Sequence, residues 1–560
     1  MEDMIECIIQ YYGDLGQLEE QIGFQAEKLL ADYAIVRITR ESLPLLFQQE
    51  NIIWVELARN LFYEVTEGKV SSCINEVQRE NGLNLTGKGV LVAILDSGID
   101  YAHPDFCTEQ GTTRIVALWD QTLLPREGEA PPEGYFDGVL FGAEQINTAL
   151  QKRRFEDRQQ IVRSVDNSGH GTHVAGIACG NGRASRGRYR GVAYESDMLV
   201  VKLGGTQRDA FPQTTNLMAG IDFAVRFAME RNQPLVINIS FGNNDGPHNG
   251  RSLFENYIDA VCLLGRNSIV IGTGNEAAKR RHTSGRFPVL ENNSVPMMQE
   301  QLLSVAEAES LLRITIWKRN VDIFQLFVVT PSGERVEVPQ EEGGNSIERS
   351  GVRFSFFQGG PTPYRTLQEI TIELRAVDTT TFLRSGVFRL QFIPQIIRDG
   401  TYQIWLSLGG ENAGTGFLRA DPYGTLTIPS TVYRGIAVAA YDAYTESITT
   451  FSGRGFLENP KMQKPDLSAP GVNIVSCAVG GGYTTKTGTS MATPFVSGSA
   501  ALLMEWGILR GNDIYLYGER LKAYLIYGAK PLTGIIQYPS PLIGWGTLCL
   551  ENAIRFRETI

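Results

Sequence analysis

A serine, an aspartate and a histidine lie in three glycine-containing motifs that are far apart along this chain. Ser490 stands in Gly488–Pro494, where a tight turn enters an apolar, small-residue helix. His170 lies in Asn167–Gly176, and Asp96 precedes Ser97 and a glycine. A serine hydroxyl is a poor nucleophile until a base takes its proton, and that base needs an orienting carboxylate. These residue types indicate acyl transfer at Ser490, with His170 as base and Asp96 as its partner.

The elements around these residues can position them. Val90–Leu95 is apolar without alternation, which predicts a parallel strand that is buried on both faces. Asp96 then follows the carboxyl end of that strand, where open α/β sheets place their active sites. Ser268–Gly272 predicts a second buried strand, and Asn275 follows it shortly afterwards.

The chain order Asp96, His170, Ser490 is the order found in subtilisin. The motifs resemble those of the subtilase family, and the resemblance implies an α/β fold with a subtilisin-like parallel-sheet catalytic domain. It also implies that the Asn275 side-chain amide helps to form the oxyanion hole, together with the backbone N–H of Ser490. Since subtilases hydrolyse peptide bonds, the expected substrate is a polypeptide.

The strand pattern Pro234–Gly242 resembles the family's edge that pairs with an extended substrate. The resemblance implies that this edge and the residues before Asn275 form the first specificity pocket. The substrate-binding candidates are Ser240, Phe241, Gly242, Gly272, Thr273 and Gly274.

Each motif also has a plainer interpretation. An Asp-Ser-Gly sequence after a strand is by itself usually a turn. His170 and His173 could be a metal-ligand pair, but no nearby Cys, Glu or third His completes a zinc site. We therefore expect no metal and no cofactor, and we expect His173 to be structural.

A calcium site seen in many subtilases is predicted to be missing. The family's calcium would bind Asp105 and the loop that is here Asn181–Gly191, which contains four arginines and no carboxylate. The arginines are expected to be solvated or to pair with Asp105. The alternative is that the arginines form a patch that binds nucleic acid. So short a basic patch on an acidic protein gives nucleic acid only a weak electrostatic attraction.

The composition is that of a large acidic protein. With 560 residues, more than one domain is expected, and the net charge of -11 argues against nucleic acid as a partner. Neither a signal segment nor a long apolar run is present, so no membrane association is expected. The seven cysteines are odd in number and scattered, which predicts reduced thiols. We expect a monomer.

Residues 1–65 predict an α+β module that resembles the inhibitory prodomain of subtilases. An ordinary accessory domain is the alternative. The last predicted strand, from Ile52, is expected to continue through Val65 and to lie in the active-site cleft. Autocatalytic cleavage is expected in this tail, and the released prodomain is expected to stay bound as an inhibitor. The candidate cleavage residues are Tyr63, Glu64, Val65 and Thr66.

An insertion separates Asn275 from Ser490. Residues 296–428 contain several short alternating strands, which indicate a β-sandwich or jelly roll, between catalytic segments 66–295 and 429–560. This architecture resembles the clostridial germination proteases called Csp. The resemblance implies a self-processing zymogen that cleaves the precursor of a spore-cortex lytic enzyme, and a cytoplasmic or spore-associated location.

Three classes of function follow from this sequence. The first is an active, self-processing serine endopeptidase. The second is a catalytically idle regulatory scaffold, a pseudoprotease, against which the intact Asp-His-Ser set argues. The third is a protein that binds glycan or cell wall through its jelly roll, but the insertion carries no aromatic-rich or calcium-rich signature to support it.

Overall fold

The computed structural model describes most of the chain as two compact units, residues 1–63 and 64–560. The described ranges are 4–29, 32–39, 41–57, 64–205, 212–289, 297–360, 366–378, 382–410, 412–457 and 463–555.

The amino-terminal unit has an antiparallel sheet with strand order β2-β3-β1-β4 and two short helices. Alternate residues of the central strands, such as Ala34, Val36 and Ile38, are buried in its core, as expected for a sheet with one solvated face. Its elements are β1 Met4–Tyr11, α1 Gly16–Ile22, β2 Gln25–Lys28, β3 Tyr33–Thr39, α2 Leu43–Leu46 and β4 Ile52–Leu57.

The predicted continuation of the last strand through Val65 is wrong. Strand β4 ends at Leu57, and the backbone of Glu64, Val65 and Thr66 lies in a helix, α3, which spans Glu64–Ser71. The remaining cleavage candidate, Tyr63, lies outside the described residues. The sequence from Phe62 to Val65 alternates poorly between polar and apolar side chains, so its pattern could not separate a strand from the first turn of a helix.

The second unit begins with the elements that lead to Asn275. Helices α3 and α4 are separate, because Cys73 between them adopts a left-handed conformation with φ +51°. The elements are α3 Glu64–Ser71, α4 Ile74–Gln78, β5 Leu91–Asp96, β6 Ile115–Asp120, β7 Val139–Gly142, α5 Ala143–Leu150, α6 Phe155–Gln159, α7 His170–Cys179, β8 Asp197–Lys202, α8 Thr214–Glu230, β9 Leu235–Ile239, α9 Leu253–Val261 and β10 Asn267–Gly272.

A β-sandwich follows in the chain. Two antiparallel sheets, with orders β11-β20-β13-β18-β17-β16 and β15-β14-β19-β12-β21, enclose one apolar core. The first strand of the sandwich lies before the predicted boundary at residue 296, since β11 pairs with β20. The strands are β11 His282–Arg286, β12 Gln299–Val305, β13 Leu311–Arg319, β14 Ile323–Val329, β15 Arg335–Val338, β16 Gly343–Arg349, β17 Val352–Gln358, β18 Leu367–Ala376, β19 Gly386–Ile396, β20 Thr401–Leu408 and β21 Gly416–Phe417.

The chain then returns to the catalytic sheet. Helix α10 continues into a π-helical turn at Glu505–Leu509 and is buried along nearly all of its length, in agreement with its Gly, Ala and Ser content. The remaining elements are β22 Ile436–Asp442, β23 Ser447–Ile448, β24 Leu467–Pro470, β25 Ile474–Cys477, β26 Tyr483–Lys486, α10 Thr489–Met504, α11 Gly518–Gly528 and α12 Leu550–Arg555.

Within the described ranges, nine strands form the catalytic sheet. Its order is β23-β22-β10-β9-β5-β8-β6-β7, and β24 also pairs with β22. The strands from β22 to β6 run parallel, whereas β7 and β23 are antiparallel edges. Apolar clusters cover both faces, which explains why the inner strands are hydrophobic without alternation. The parallel sheet predicted from Val90–Leu95 is confirmed.

The expectation that all cysteines are reduced is wrong for two of them. Cys73 and Cys549 form a disulfide across a sequence separation of 476 residues. Their distance in the sequence carries no spacing signal, because only the fold brings α12 next to α4. The other cysteines are free and buried, namely Cys7, Cys107, Cys179, Cys262 and Cys477.

Candidate active site

Asp96 and His170 form a direct pair at the carboxyl end of β5. Asp96 Oδ1 lies 2.7 Å from His170 Nδ1, and its second oxygen is buried with no hydrogen-bond partner in the described part of the chain. The Asp96 side chain is inaccessible to solvent, whereas 28% of the His170 side chain is exposed. Burial lowers the pKa of His170, but the charge of Asp96 and the hydrogen bond to it outweigh burial and raise the pKa above its usual value. The imidazole is thus oriented at one nitrogen and accessible at its other end.

Asp166 holds the start of the histidine helix, a role that the sequence analysis missed. Its carboxylate accepts hydrogen bonds from the backbone N–H groups of Gly169 and Thr172, and from the Thr172 hydroxyl. Ser97, next to Asp96, donates to Asp166 Oδ1 at 2.9 Å and accepts from Gly171 N at 2.9 Å. A carboxylate just before a helix is a recognisable signal, because helix N-termini leave N–H groups unpaired.

Ser490 is the second residue of α10, so its backbone N–H has no acceptor within the helix. Its carbonyl is also unusual, because Pro494 four residues later has no N–H to donate to it. The hydroxyl of Ser240 lies 3.5 Å from that carbonyl instead. The ring of the next residue, Phe241, meets the His170 ring edge-on at a centroid distance of 6.3 Å. Two consecutive residues therefore contact the predicted nucleophile and the predicted base.

Asn275 is anchored through one end of its amide. Its Oδ1 accepts from Thr489 N at 3.0 Å, immediately before Ser490, and Thr489 Oγ1 in turn accepts from Gly274 N at 3.1 Å. The side-chain carbonyl is thereby fixed, which leaves the Nδ2 group to donate elsewhere. The Asn275 amide, held beside Thr489, and the backbone N–H of Ser490 are two hydrogen-bond donors near the start of α10. Donors of this kind form oxyanion holes.

The predicted substrate-binding residues form two backbone segments beside Ser490. Strand β9 ends at Ile239, so Ser240, Phe241 and Gly242 lie beyond it rather than within it. Gly272 ends β10, and Thr273 and Gly274 continue towards Asn275. Since β9 and β10 are parallel neighbours, both segments leave the same edge of the sheet.

His173 takes no part in this pair. It is buried, its Nε2 lies 3.0 Å from the carbonyl oxygens of Ile474 and Thr484, and burial lowers its pKa to about 4. The ring is therefore neutral at neutral pH and serves to attach α7 to the β25–β26 hairpin.

Among the described residues, one buried group has the composition of a metal site, namely His103, Asp105 and Cys477. Its ligand atoms are engaged with protein groups. His103 Nδ1 accepts from Asp105 N at 3.1 Å, and its Nε2 lies 2.9 Å from Gly482 O. The Cys477 thiol, whose pKa burial raises well above the usual value, stays protonated and donates to Asp105 Oδ2. The group is a closed hydrogen-bonded cluster.

The carboxylate of Asp105 also receives donors from two other segments. Ala184 N in the arginine loop donates to Oδ1 at 2.8 Å, and the Tyr483 hydroxyl donates to Oδ2 at 2.8 Å. The arginine loop thus reaches Asp105 through its backbone, whereas the sequence favoured an ion pair or a solvated loop. Arg183 instead donates to the carbonyl of Thr108.

Comparison with known proteins shows the family to which this chain belongs. The subtilase family model matches residues 87–363 and 410–546, and a model of the Csp protease B prodomain matches residues 1–59. The solved CspB protease of Clostridium perfringens is 36% identical, with a TM-score of 0.78, over 88% of this chain and 97% of that one. This chain belongs to the subtilase family, the subtilisin-like serine peptidases. Its amino-terminal unit carries a prodomain of the Csp protease B type.

Curated relatives are longer than this chain. The PIII-type proteinase of Lactococcus lactis subsp. cremoris is 25% identical over 90% of this chain but only 26% of its own length. The minor extracellular protease Vpr of Bacillus subtilis is 25% identical over 84% of this chain and 52% of its own length. The chain therefore spans about a quarter to a half of these relatives. In the described residues, no helix has both the length and the apolar character needed to cross a membrane.

Proposed function

We propose that this chain is a serine endopeptidase that acts through Asp96, His170 and Ser490. The observation that carries the proposal is the 2.7 Å contact between Asp96 Oδ1 and His170 Nδ1. Two consecutive residues, Ser240 and Phe241, connect this pair to Ser490, since one contacts the Ser490 carbonyl and the other the His170 ring. The raised pKa of His170 suits a residue that must hold a proton during the reaction.

The residues support a complete acyl-transfer cycle. His170 takes the hydroxyl proton of Ser490 through Nε2, and the oxygen attacks the peptide carbonyl carbon to form a tetrahedral oxyanion. Asn275 Nδ2 and the N–H of Ser490 donate to that oxyanion. His170 then gives its proton to the leaving amine, which departs as the C–N bond breaks. A water molecule, deprotonated by His170, then attacks the acyl carbon. The C–O bond to Ser490 breaks as His170 returns the proton to the serine oxygen, which releases the carboxylic acid and restores the enzyme.

An extended polypeptide is the proposed substrate. The two segments at the ends of β9 and β10, Ser240–Gly242 and Gly272–Gly274, offer backbone groups at the edge of the sheet beside Ser490. Hydrogen bonds between backbones bind a peptide strand whatever most of its side chains are. Pockets between the two segments then select which substrate side chains fit.

The chain is further proposed to be made as a zymogen. Its first 59 residues match a prodomain model, which supports cleavage of the linking segment by the chain itself. The proposed cut lies between Tyr63 and Gly68, and the released prodomain is proposed to remain bound as an inhibitor. Similarity to CspB protease supports a role in germination, with the precursor of a spore-cortex lytic enzyme as substrate.

Replacement of the nucleophile tests the peptidase proposal. Ser490→Ala should lower kcat on a peptide substrate about a millionfold, as loss of the nucleophile does in subtilisin, and should leave the chain uncut near residue 65. Ser447→Ala, at an exposed strand in the same sheet, is the matched control. The measurements are peptide hydrolysis, labelling by a fluorophosphonate probe and intact mass. Substantial hydrolysis by Ser490→Ala would contradict the proposal.

The germination role has a separate test. The purified cortex-lytic enzyme precursor should be cut at one bond by the wild-type chain and stay intact with Ser490→Ala. A precursor that remains intact while a peptide substrate is hydrolysed would refute the role and leave the peptidase function in place.

A further inference from the structure

The segment Gly424–Ile428, which follows the inserted sandwich, joins the two sides of the proposed substrate pocket. Thr427 N donates to Thr273 O at 3.0 Å on one side. On the other side, Ile428 N donates to Asn243 O at 2.8 Å, and Asn243 N donates back to Ile428 O at 3.0 Å. We call Gly424–Ile428 the pocket-floor segment.

The side chain of Thr427 occupies the space between the two sides. A Cβ placed on Gly274 would lie 2.4 Å from Thr427 Cγ2, and one on Gly242 would lie 2.5 Å from Thr427 Oγ1. These distances are shorter than any van der Waals contact, so the threonine already touches both glycines. Thr427 is 6% exposed. A large substrate side chain that entered between Gly242 and Gly274 would therefore meet the threonine.

The inserted sandwich holds the pocket-floor segment through one tryptophan. Trp405, on β20, donates from Nε1 to Gly424 O at 2.9 Å. Its ring is stacked between two histidines, His248 of the catalytic domain at 4.1 Å and His282 of β11 at 4.8 Å between centroids. His248 Nδ1 in turn lies 2.6 Å from Leu426 O.

All of these groups are buried, so neighbouring atoms restrict the movement of the stacked rings. Trp405 and His248 are each no more than 1% exposed. Buried aromatic stacks combine a large apolar contact with one fixed hydrogen-bond direction, which limits the ring to one orientation. A second link runs alongside, since Arg313 of β13 lies 3.3 Å from Asp245 beyond the Ser240–Gly242 segment.

We propose that Thr427 restricts the pocket to small substrate side chains at P1, the residue on the acyl side of the cleaved bond, and that the inserted sandwich positions Thr427 through Trp405. The inference rests on the proposed peptidase function. In this scheme Gly, Ala, Ser and Thr are accepted at P1, and Phe and Leu are rejected. The insertion thereby acquires a role in substrate selection, with Thr427 as specificity-determining residue and Trp405 as positioning residue.

The test compares two peptide p-nitroanilides that differ only in having Ala or Phe at P1, with the full-length chain and its variants. The wild type should prefer Ala. Thr427→Gly should raise the Phe-to-Ala ratio of kcat/KM about 10- to 200-fold, the range that a pocket-size change of this kind gives. Thr427→Val, which keeps the shape and loses the hydroxyl, should retain the wild-type ratio. Thr427→Ala replaces the glycine variant if that one does not fold.

The same Phe-to-Ala ratio of kcat/KM tests the role of Trp405. A residue that only stabilised the fold would leave this ratio unchanged. Trp405→Leu should raise the Phe-to-Ala ratio severalfold, and Trp405→Phe, which keeps a stacked ring, should stay nearer to the wild type. An unchanged ratio in active Trp405→Leu would overturn the role of the sandwich.

Fluorophosphonate labelling separates the possible failures. A Thr427→Gly chain that is labelled at Ser490 and hydrolyses peptides with the wild-type P1 ratio would overturn the inference while the peptidase function stands. A wild-type chain that is neither labelled nor hydrolyses either peptide would overturn the proposed function, and this inference with it.

Discussion

Two buried aspartates, Asp96 at the end of β5 and Asp105 nine residues later, use their carboxylates in opposite ways. Asp96 gives one oxygen to His170 and keeps the other without a hydrogen-bond partner in the described ranges. Asp105 has both oxygens occupied by neutral donors from two other segments of the chain. A carboxylate with a free acceptor oxygen can stabilise a neighbouring imidazole when that ring gains a positive charge. A carboxylate whose oxygens all accept hydrogen bonds instead holds the donating segments together. Burial and residue type alone therefore do not identify a catalytic carboxylate, because its partners decide its role.

Replacing each aspartate by asparagine should give the largest difference in kcat between two variants. Asp96→Asn should lower kcat about 10⁴-fold, because an asparagine favours the wrong tautomer of His170 and cannot stabilise the imidazolium. Asp105→Asn should leave kcat largely unchanged and lower the free energy of unfolding. Steady-state hydrolysis and urea unfolding of both variants check this prediction. Similar losses of kcat in the two variants would show that the proposed division of roles is wrong.

Asn275 supplies the next largest effect, because it acts on the oxyanion rather than on the nucleophile. Asn275→Ala should lower kcat about 10²- to 10³-fold with the base and nucleophile intact. Asn345→Ala, on an exposed strand of the sandwich, is the control. A rise in KM with an unchanged kcat would assign Asn275 to substrate binding instead.

The charge on Asp96 should also be visible in the pH dependence. His170 works as a base only when it is neutral, so kcat/KM should fall about tenfold per pH unit below its pKa. Because Asp96 raises that pKa, the fall should begin at a higher pH than for an ordinary histidine. In Asp96→Asn the acidic limb of the profile should move to lower pH. An unmoved limb would mean that another group controls it.

The smallest effect is expected from metal removal. The oxygens of Asp105 already accept three hydrogen bonds, and the adjoining loop brings arginines rather than carboxylates. EDTA should leave the melting temperature nearly unchanged, since only a ligand bound to the native state stabilises it by mass action. A drop of many degrees that calcium reverses would contradict this expectation.

The sequence predicted those parts of the fold whose residues are close together in the chain. The buried strand before Asp96, the small-residue helix at Ser490 and the sandwich strands each carry their own pattern of apolar residues. Contacts between distant segments leave no such trace. The role proposed for Thr427 depends on glycines more than 150 positions earlier, and Trp405 contacts His248 and His282 only in the folded chain. Asp166 does carry a local signal, because it stands shortly before the helix that begins at His170 and accepts hydrogen bonds from its first turn.

The bond between Cys73 and Cys549 has a consequence for the lifetime of such an enzyme. A peptidase kept at high concentration cuts exposed loops of its neighbours, and each cut would normally release a fragment. A crosslink that spans 476 positions makes nearly the whole second unit a covalent ring, with only short tails outside it. A molecule cut once within this ring stays in one piece, and its halves keep an effective concentration that favours continued packing. A chain cut in this way would run as one band on a non-reducing gel. It would run as two bands once the disulfide is reduced.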